Sequence, residues 1–175
     1  AFFAGVYYVG PIFTSFRGSE KCVEFYRSLR SEIEERVKDR LGPVTPEGQL
    51  IEEKYRLVME GTPCWTNFRE LWKLFYDEGA VCVASTYTKV GGLYDMGFRH
   101  DPSRPLATLA EYASGVYGNL GLPVRINLLE KYIKEYKADG FVVNSIKSCN
   151  SYSAGQLLIL QELEKRTGLA GGFIE

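Results

Sequence analysis

Short apolar runs alternate with segments of helical periodicity from Tyr55 to the end of the 175-residue chain. The runs "RLVME", "AVCVAS", "FVVNSI" and "GGFIE" predict strands. The segments between them, "NFRELWKLFYDEG", "PLATLAEYASGVYG", "RINLLEKYIKEYKADG" and "SAGQLLILQELEKRTG", predict helices. Continuous apolar strands separated by helices are typical of a parallel sheet covered on both faces. The pattern therefore predicts an α/β fold.

The segment before Tyr55 has a different pattern, which predicts two helices. From Ser19, a predicted N-cap, apolar residues recur every three or four positions until Gly42-Pro43 closes the helix. Thr45-Pro46 then predicts the start of a short second helix that reaches about Glu53. A single apolar stripe needs a partner surface, so this part is interpreted as a connector that docks on something else.

Both ends of the chain suggest a piece of a longer polypeptide. The start, "AFFAGVYYVG", has no initiator Met, and "GGFIE" stops inside a predicted strand. We therefore expect residues 1–54 to be a helical connector from a missing N-terminal half. Residues 55–175 are expected to be a C-terminal α/β domain that is truncated at its end.

Composition and charge narrow the class of protein. The chain is 45% hydrophobic and 25% charged, which is typical of a globular domain, and its formal net charge is -1. This charge gives no reason to expect a nucleic-acid or acidic-membrane partner. No apolar run approaches the roughly 20 residues that span a bilayer, and no signal peptide pattern opens the chain. The prediction is a soluble cytoplasmic protein.

The four cysteines, Cys22, Cys64, Cys82 and Cys149, form no CxxC pair, so a self-contained zinc or iron–sulfur motif is absent. Cys22 falls on a helical stripe and Cys82 within a strand, and both are predicted to be core residues. Cys64 and Cys149 each follow a strand. Because crossovers between parallel strands are right-handed, both should lie at the carboxyl edge of the sheet, where α/β proteins bind ligands.

Cys149 is the stronger candidate for a metal ligand. Lys147 and the amides of the next helix, expected to begin near Ser151 or Ser153, would favour its thiolate form. Asn150, Ser151 and Ser153 would supply hydrogen-bond donors to a bound cluster. The alternative is an inert, half-buried thiol.

Cys64, in "EGTPCWTNFRE", is the second candidate ligand, and a purely structural interpretation competes with it. Thr66 or Asn67 can cap the next helix and Trp65 can pack at its base, so the cysteine would only fill space.

Two further segments carry polar residues without a complete motif. In "STYTKVGG", Gly91 and Gly92 would allow close backbone approach and Lys89 could meet an anion, but no P-loop or dinucleotide fingerprint is present. His100 could be oriented by Asp101 as an acid or base. We favour a local role instead, in which His100 packs on Phe98 or is solvated, and the loop caps the helix at Pro105. No convincing base accompanies the Ser and Cys candidates, so a hydrolase triad fits poorly.

Four segments carry a resemblance to a known family: "GPIFTSFRG", "LGPVTPEGQLIEEKYRLVMEGTPCWTNFRELW", "VASTYTKVGGLYDMGFRHDP" and "NSIKSCNSYSAGQ". Together they resemble the benzoyl-CoA reductase and 2-hydroxyacyl-CoA dehydratase family, most closely the B-type subunits of its ATP-dependent reductase class. The resemblance implies flavodoxin-like halves in each subunit and a [4Fe–4S] cluster near an acyl-CoA thioester. It also implies a homologous cluster-bearing partner subunit and a separate ATP-hydrolysing activator that supplies single electrons.

The resemblance assigns Cys149, in "IKSCNS", to one cluster ligand, with other ligands contributed by the missing first half. A cubane needs about three to four thiolates, so the isolated chain is expected to bind no cluster and to be inactive. Trp65, Tyr87 and Tyr94 could flank the substrate, although core packing explains them equally well. A 2-hydroxyacyl-CoA dehydratase subunit and a non-catalytic flavodoxin-like assembly module remain open alternatives.

Overall fold

A four-stranded parallel sheet forms the centre of the computed structural model, which describes residues 3, 5, 14–39, 41–88 and 92–175. The strands are β1 (Tyr55–Gly61), β2 (Ala80–Ser85), β3 (Gly140–Asn144) and β4 (Gly171–Ile174). They lie in the order β2-β1-β3-β4, and each neighbouring pair is parallel. The predicted α/β class and the four predicted strands are confirmed.

Helices connect the strands and precede the sheet. Their bounds are α1 (Thr14–Phe16), α2 (Glu20–Lys38), α3 (Phe68–Asp77), α4 (Gly92–Asp95), α5 (Pro105–Ser114), α6 (Leu122–Glu135), α7 (Asn150–Ser153) and α8 (Gln156–Thr167). Single turns of 3₁₀-helix lie at Trp65–Asn67 and Tyr117–Asn119. No helix in these described ranges is long and apolar enough to cross a membrane.

Consecutive residues of β1 pack on opposite faces of the sheet, as the pleat of a strand requires. Val58 belongs to a core cluster with residues of α6 and α8, including Leu129 and Ile159. Met59 belongs to a second cluster with Phe68 and other residues of α3. The sheet is therefore covered on both faces, which confirms the predicted three layers and explains why its strands carry continuous apolar runs.

The strand order contains a topological switch point. The chain passes from β1 to β2 on one side, then crosses back over β1 to place β3 on the other side. In doubly wound sheets of this order, the connections leave β1 and β3 in opposite directions, and a crevice opens between their carboxyl ends. The loops that follow β1 and β3 are therefore the ones that the fold places at a binding position.

Helix α2 begins as predicted. The Ser19 side chain accepts a hydrogen bond from the backbone N–H of Cys22 at 3.3 Å and caps the helix. The helix ends at Lys38, before the predicted Gly42. Cys22 is buried, whereas Ile33 and Val37 further along the predicted stripe are exposed. The boundary between a connector at 1–54 and a domain at 55–175 stays a prediction.

The predicted second helix from Thr45 to about Glu53 is wrong. Thr45 Oγ1 accepts hydrogen bonds from the backbone N–H groups of Glu47 and Gln49, both at 3.3 Å. Val44 and Leu50 form an isolated antiparallel bridge around this turn. Gly48, at φ +83°, adopts the left-handed conformation and reverses the chain, so the threonine hydroxyl closes a turn instead of capping a helix.

Candidate functional site

The carboxyl ends of β1 and β3 meet at their last residues, where Gly61 pairs with Asn144. Gly61 has φ +109°, and a side chain at this position would collide with the carbonyl oxygen of Asn144. The Asn144 side chain donates a hydrogen bond to the Thr62 carbonyl oxygen and joins the two loops that follow. Glycine therefore permits the close approach of the two strand ends that flank the switch point.

Cys149 lies in the loop after β3, immediately before α7, as a half-buried free thiol. Its backbone N–H donates to the Ile146 carbonyl oxygen at 2.9 Å. Its carbonyl oxygen accepts from the backbone N–H groups of Tyr152 and Ser153 at 3.1 and 2.9 Å. The backbone of Cys149 is thus held in a hydrogen-bonded turn, and the thiol is not enclosed in the apolar core.

The polar residues after Cys149 are arranged differently from the prediction. The expected continuous helix is interrupted, because α7 ends at Ser153 and α8 begins at Gln156. The Ser153 hydroxyl donates to the Cys149 carbonyl oxygen at 2.9 Å, so in this structure it does not serve the thiol. Asn150 and Ser151 are exposed and stay candidate donors.

Cys64 occupies the matching place after β1 and is also half-buried and free. Its sulfur lies 3.7 Å from the Thr66 hydroxyl oxygen. It lines an open cleft of about 260 Å³ between α3 and the ends of β3 and β4, together with Leu71 and Ile146 among others. The Asn67 side chain makes no capping hydrogen bond to α3, so Asn67 is wrong as the predicted capping side chain.

A buried ion pair lies at the end of β1, and sequence reasoning missed it. Glu60 Oε1 accepts a hydrogen bond from Arg125 Nη2 of α6 at 2.8 Å, and both side chains are at most 3% exposed. The Gln156 amide donates to the other Glu60 oxygen. The Arg125 guanidinium lies 4.8 Å from the centre of the Tyr117 ring. An acidic residue inside an apolar strand, as in "RLVME", is a signal that could have found this pair, since a buried charge requires a partner.

Burial is the largest influence on the pKa values of the three acidic groups of this cluster, Glu60, Tyr117 and Tyr152. It raises the pKa of the Glu60 carboxyl, and the hydrogen bond from Gln156 and the charge of Arg125 oppose that rise. Burial is the main cause that raises the pKa of Tyr117, and the charge of Glu60 is the second. The same two causes, in the same order, raise the pKa of Tyr152 to about 12. The tyrosines therefore stay neutral at ordinary pH.

Arg125 also connects this pair to the turn that follows Cys149. Its Nη1 donates to the carbonyl oxygens of Ser151 and Ala154, each at 3.3 Å. Its Nη2 donates to the Tyr152 carbonyl oxygen at 2.9 Å. Strand β1, α6 and α7 are thus joined through one guanidinium group.

The structure confirms that His100 packs on Phe98, whereas the predicted cap of α5 is not formed, since its N-cap residue, Arg104, makes no side-chain capping hydrogen bond. The His100 ring packs edge-on against Phe98 with the ring centres 5.1 Å apart, and its Nε2 lies 2.8 Å from the Tyr94 hydroxyl. Asp101 accepts hydrogen bonds from the Ser103 backbone N–H and hydroxyl, at 2.9 and 2.7 Å, instead of orienting the histidine. These contacts shape the loop before α5.

The predicted substrate-flanking aromatic residues separate into two groups. Trp65 and Tyr87 lie together near the carboxyl edge, with ring centres 6.4 Å apart. Tyr94 packs instead against Phe98 and Tyr112. The candidate anion residue Lys89 and the neighbouring Gly91 lie outside the described residues, and Gly92 begins α4.

A metal site would need more ligands than Cys149 provides. Among the residues that the structure describes, no group of three or more His, Cys, Asp or Glu side chains could hold a metal ion. Cys22 and Cys82 are buried, as predicted for core residues. The free, half-buried thiol of Cys149, in the loop that follows β3, fits the role of one ligand in a larger set.

Fold and site together define an α/β domain with a cysteine at the switch point, and comparison with known proteins identifies its family. The family model described as 2-hydroxyglutaryl-CoA dehydratase, D-component, matches residues 2–175. The chain therefore belongs to the benzoyl-CoA reductase and 2-hydroxyacyl-CoA dehydratase family, as the sequence motifs indicated.

Among individual proteins, the chain is 66% identical over 175 residues to the B-type subunit of benzoyl-CoA reductase from Thauera aromatica. The match covers 100% of this chain and 40% of that relative. The (R)-phenyllactyl-CoA dehydratase alpha subunit of Clostridium sporogenes is 25% identical, over 87% of this chain and 34% of the relative. The (R)-2-hydroxyisocaproyl-CoA dehydratase alpha subunit of Clostridioides difficile is 27% identical, over 87% of this chain and 35% of the relative. The chain thus spans well under half the length of these relatives.

Proposed function

We propose that this chain is part of a B-type subunit of an ATP-dependent benzoyl-CoA reductase. The enzyme would deliver low-potential electrons to an aromatic acyl-CoA thioester and dearomatise its ring. The observation that supports this proposal is the 66% identity over the whole chain to the benzoyl-CoA reductase relative from Thauera aromatica. Identity to the two dehydratase subunits is much lower, at 25% and 27%.

In this proposal, Cys149 provides one thiolate ligand of a [4Fe–4S] cluster, and the remaining ligands come from parts of the subunit outside these 175 residues. When bound, such a cluster supplies single electrons at low potential. The described residues that support this role are the hydrogen-bonded turn of Cys149 after β3 and an aromatic pair, Trp65 and Tyr87, close to the same edge of the sheet. Cys64 is a second, weaker candidate ligand.

The proposed assembly contains a homologous cluster-bearing subunit and a separate activator that hydrolyses ATP. No P-loop or dinucleotide fingerprint occurs in these 175 residues. The proposal follows the family resemblance in assigning ATP hydrolysis to the activator. The acyl-CoA is the substrate, and the location is proposed to be cytoplasmic. A nucleic-acid or membrane partner is not part of the proposal, because the net charge of -1 provides no electrostatic attraction.

The family also contains dehydratases, which makes a 2-hydroxyacyl-CoA dehydratase subunit the second candidate function. Product analysis of the complete purified complex separates the two. A benzoyl-CoA reductase converts benzoyl-CoA into a cyclic dienoyl-CoA by adding two electrons and two protons, and consumes ATP in every turnover. A dehydratase removes water from a 2-hydroxyacyl-CoA and needs ATP only catalytically. Formation of the second product, and none of the first, would reject our proposal.

Replacement of Cys149 by Ser in the complete complex tests the ligand assignment. Loss of a thiolate should reduce both the iron content of the complex and the rate of ring reduction, because a cubane depends on each ligand. Chemical iron determination and the EPR spectrum measure the first effect. Cys22→Ser is the control, since Cys22 lies buried on α2, and should retain its iron.

The same experiment addresses the other open interpretations. Cys64→Ser retains full iron if Cys64 only fills space near Thr66. A non-catalytic assembly module would retain iron and turnover after Cys149→Ser, and that result would contradict the ligand assignment.

A further inference from the structure

Helix α7 is too short to provide hydrogen-bond donors for most of its own carbonyl oxygens. A helix leaves its last four carbonyl oxygens without intrahelical partners, and α7 has four residues, Asn150–Ser153. The oxygen of Asn150 accepts from the Ala154 N–H at 3.1 Å. The oxygens of Ser151, Tyr152 and Ala154 all accept from the guanidinium group of Arg125. Arg125 therefore acts as the cap for the carboxyl end of α7.

The other end of α7 is attached to Cys149 itself. The Tyr152 and Ser153 amides and the Ser153 hydroxyl all donate to the Cys149 carbonyl oxygen. The turn from Cys149 to Ala154 is thus bound at its start by its own amides and at its end by Arg125. A displacement of the carboxyl end of α7 would be transmitted to the Cys149 backbone, because the two are separated by a single helical turn.

Arg125 in turn is held in one orientation by three elements. Glu60 of β1 pairs with its Nη2, and Gln156 of α8 donates to the second Glu60 oxygen. The guanidinium group lies over the Tyr117 ring. Arg125 is 2% exposed, so solvent does not weaken these contacts. The position of the turn is therefore fixed relative to β1.

We propose that Arg125, fixed by Glu60, is a positioning residue that holds the Cys149 turn in the geometry required for ligation. The proposal deepens the proposed function, since the position of Cys149 matters for catalysis only if its thiol binds the cluster. Lysine cannot substitute, because a single ammonium group lacks the planar fork that reaches three carbonyl oxygens and a carboxylate together.

Arg125→Lys in the full-length subunit, prepared without iron, tests this role by thiol reactivity. The rate of alkylation of Cys149 by iodoacetamide should rise at least about tenfold, because the turn opens more often once charge-assisted hydrogen bonds are lost. Cys64 is an internal control, as it is also half-buried and follows the neighbouring strand, and its rate should not change. Mass spectrometry resolves the two sites. Hydrogen exchange should increase in the peptide that contains 149–154 and stay unchanged in β1.

Arg166→Lys is the matched control variant. Arg166 lies on α8 and pairs with Glu162 and Glu130 at the surface, so its replacement should leave both cysteine rates unchanged. If Arg125→Lys does not fold, Glu60→Gln replaces it. This variant keeps an oxygen that can accept from Arg125 but removes the charge, and a selective increase at Cys149 is again expected.

Equal acceleration of alkylation at Cys64 and Cys149 would overturn the positioning role, because it would indicate that the whole protein is loosened. No acceleration at either cysteine would also overturn it, because the Cys149 turn would then keep its geometry without Arg125. Neither measurement involves iron. The outcome is therefore separate from that of Cys149→Ser, whose iron content tests the ligand assignment itself.

Discussion

Two cysteines, Cys82 and Cys149, have different chemistry because the fold places them in different surroundings. Cys82 lies in the middle of β2 and is 3% exposed, whereas Cys149 lies at a strand end and is half-buried. Burial raises the pKa of the Cys82 thiol to about 12, from an ordinary value of 9.0. The folded protein therefore keeps Cys82 protonated under conditions in which the unfolded chain ionises it.

Cys82 should consequently make the stability of the protein depend on alkaline pH. Its contribution is fully present below the unfolded pKa and is lost as pH rises from about 9 towards about 12. Between about pH 8 and about pH 10.5, the free energy of unfolding should fall by about 2 kcal/mol more in the wild type than in Cys82→Ala. Urea titrations at both pH values measure this difference.

The comparison relies on the pH dependence, so a constant loss of stability from the cavity in Cys82→Ala does not affect it. Identical pH dependence in the two proteins would show that the Cys82 thiol is not buried as described.

At the scale of elements, the helix that was expected after Cys149 is interrupted between α7 and α8. Gly155 occupies the interruption with φ +77°, and Gly168 closes α8 with φ +70°. The two glycines share a left-handed conformation but differ in surroundings. A Cβ at Gly155 would lie 2.6 Å from Leu122 Cδ2, whereas nothing lies within 4 Å of one at Gly168.

Alanine substitutions at these two glycines should therefore differ in cost. Gly168→Ala should lower the free energy of unfolding by about 1 kcal/mol, because only backbone strain is added. Gly155→Ala should cost about 1–3 kcal/mol more, since its methyl group also overpacks against Leu122. Chemical denaturation of both variants measures the costs, and equal values would contradict the close packing of α7 and α8 against α6.

At the scale of the whole molecule, the chain forms a layered sheet with a formed switch point, yet spans 40% of the length of its Thauera relative. The described residues offer Cys149, and more weakly Cys64, at that point. The proposed cluster requires about three to four thiolates. The proposal therefore requires further ligands from the rest of the subunit.

Anaerobic reconstitution tests this requirement. Residues 1–175 alone, treated with iron and sulfide, should show no stable [4Fe–4S] absorption, and no cluster EPR signal after one-electron reduction with a strong reductant. The full-length subunit treated in the same way should acquire both. Stable incorporation of a cubane into residues 1–175 would contradict the proposed distribution of ligands between the two parts.

Local pattern was sufficient for much of the fold and for the candidate cysteine. The strands, the main helices and the strand-end position of Cys149 all follow from apolar periodicity and from turn residues, which act over a few neighbouring positions. Two local predictions were wrong for local reasons. Gly48 reverses the chain where Thr45-Pro46 indicated a helix, and Gly155 divides the expected helix after Cys149.

The strand-end chemistry was therefore determined by the sequence itself, because burial of each strand dictates its composition and a loop must follow it. Only the tertiary structure decided that β1 and β3 are neighbours, and that Arg125 meets Glu60 across 65 positions of sequence. Such contacts depend on how crossovers and faces combine over the whole sheet. No periodicity within a short segment encodes that combination. The contacts of Arg125 with Glu60 and with the Cys149 turn could therefore be identified only in the tertiary structure.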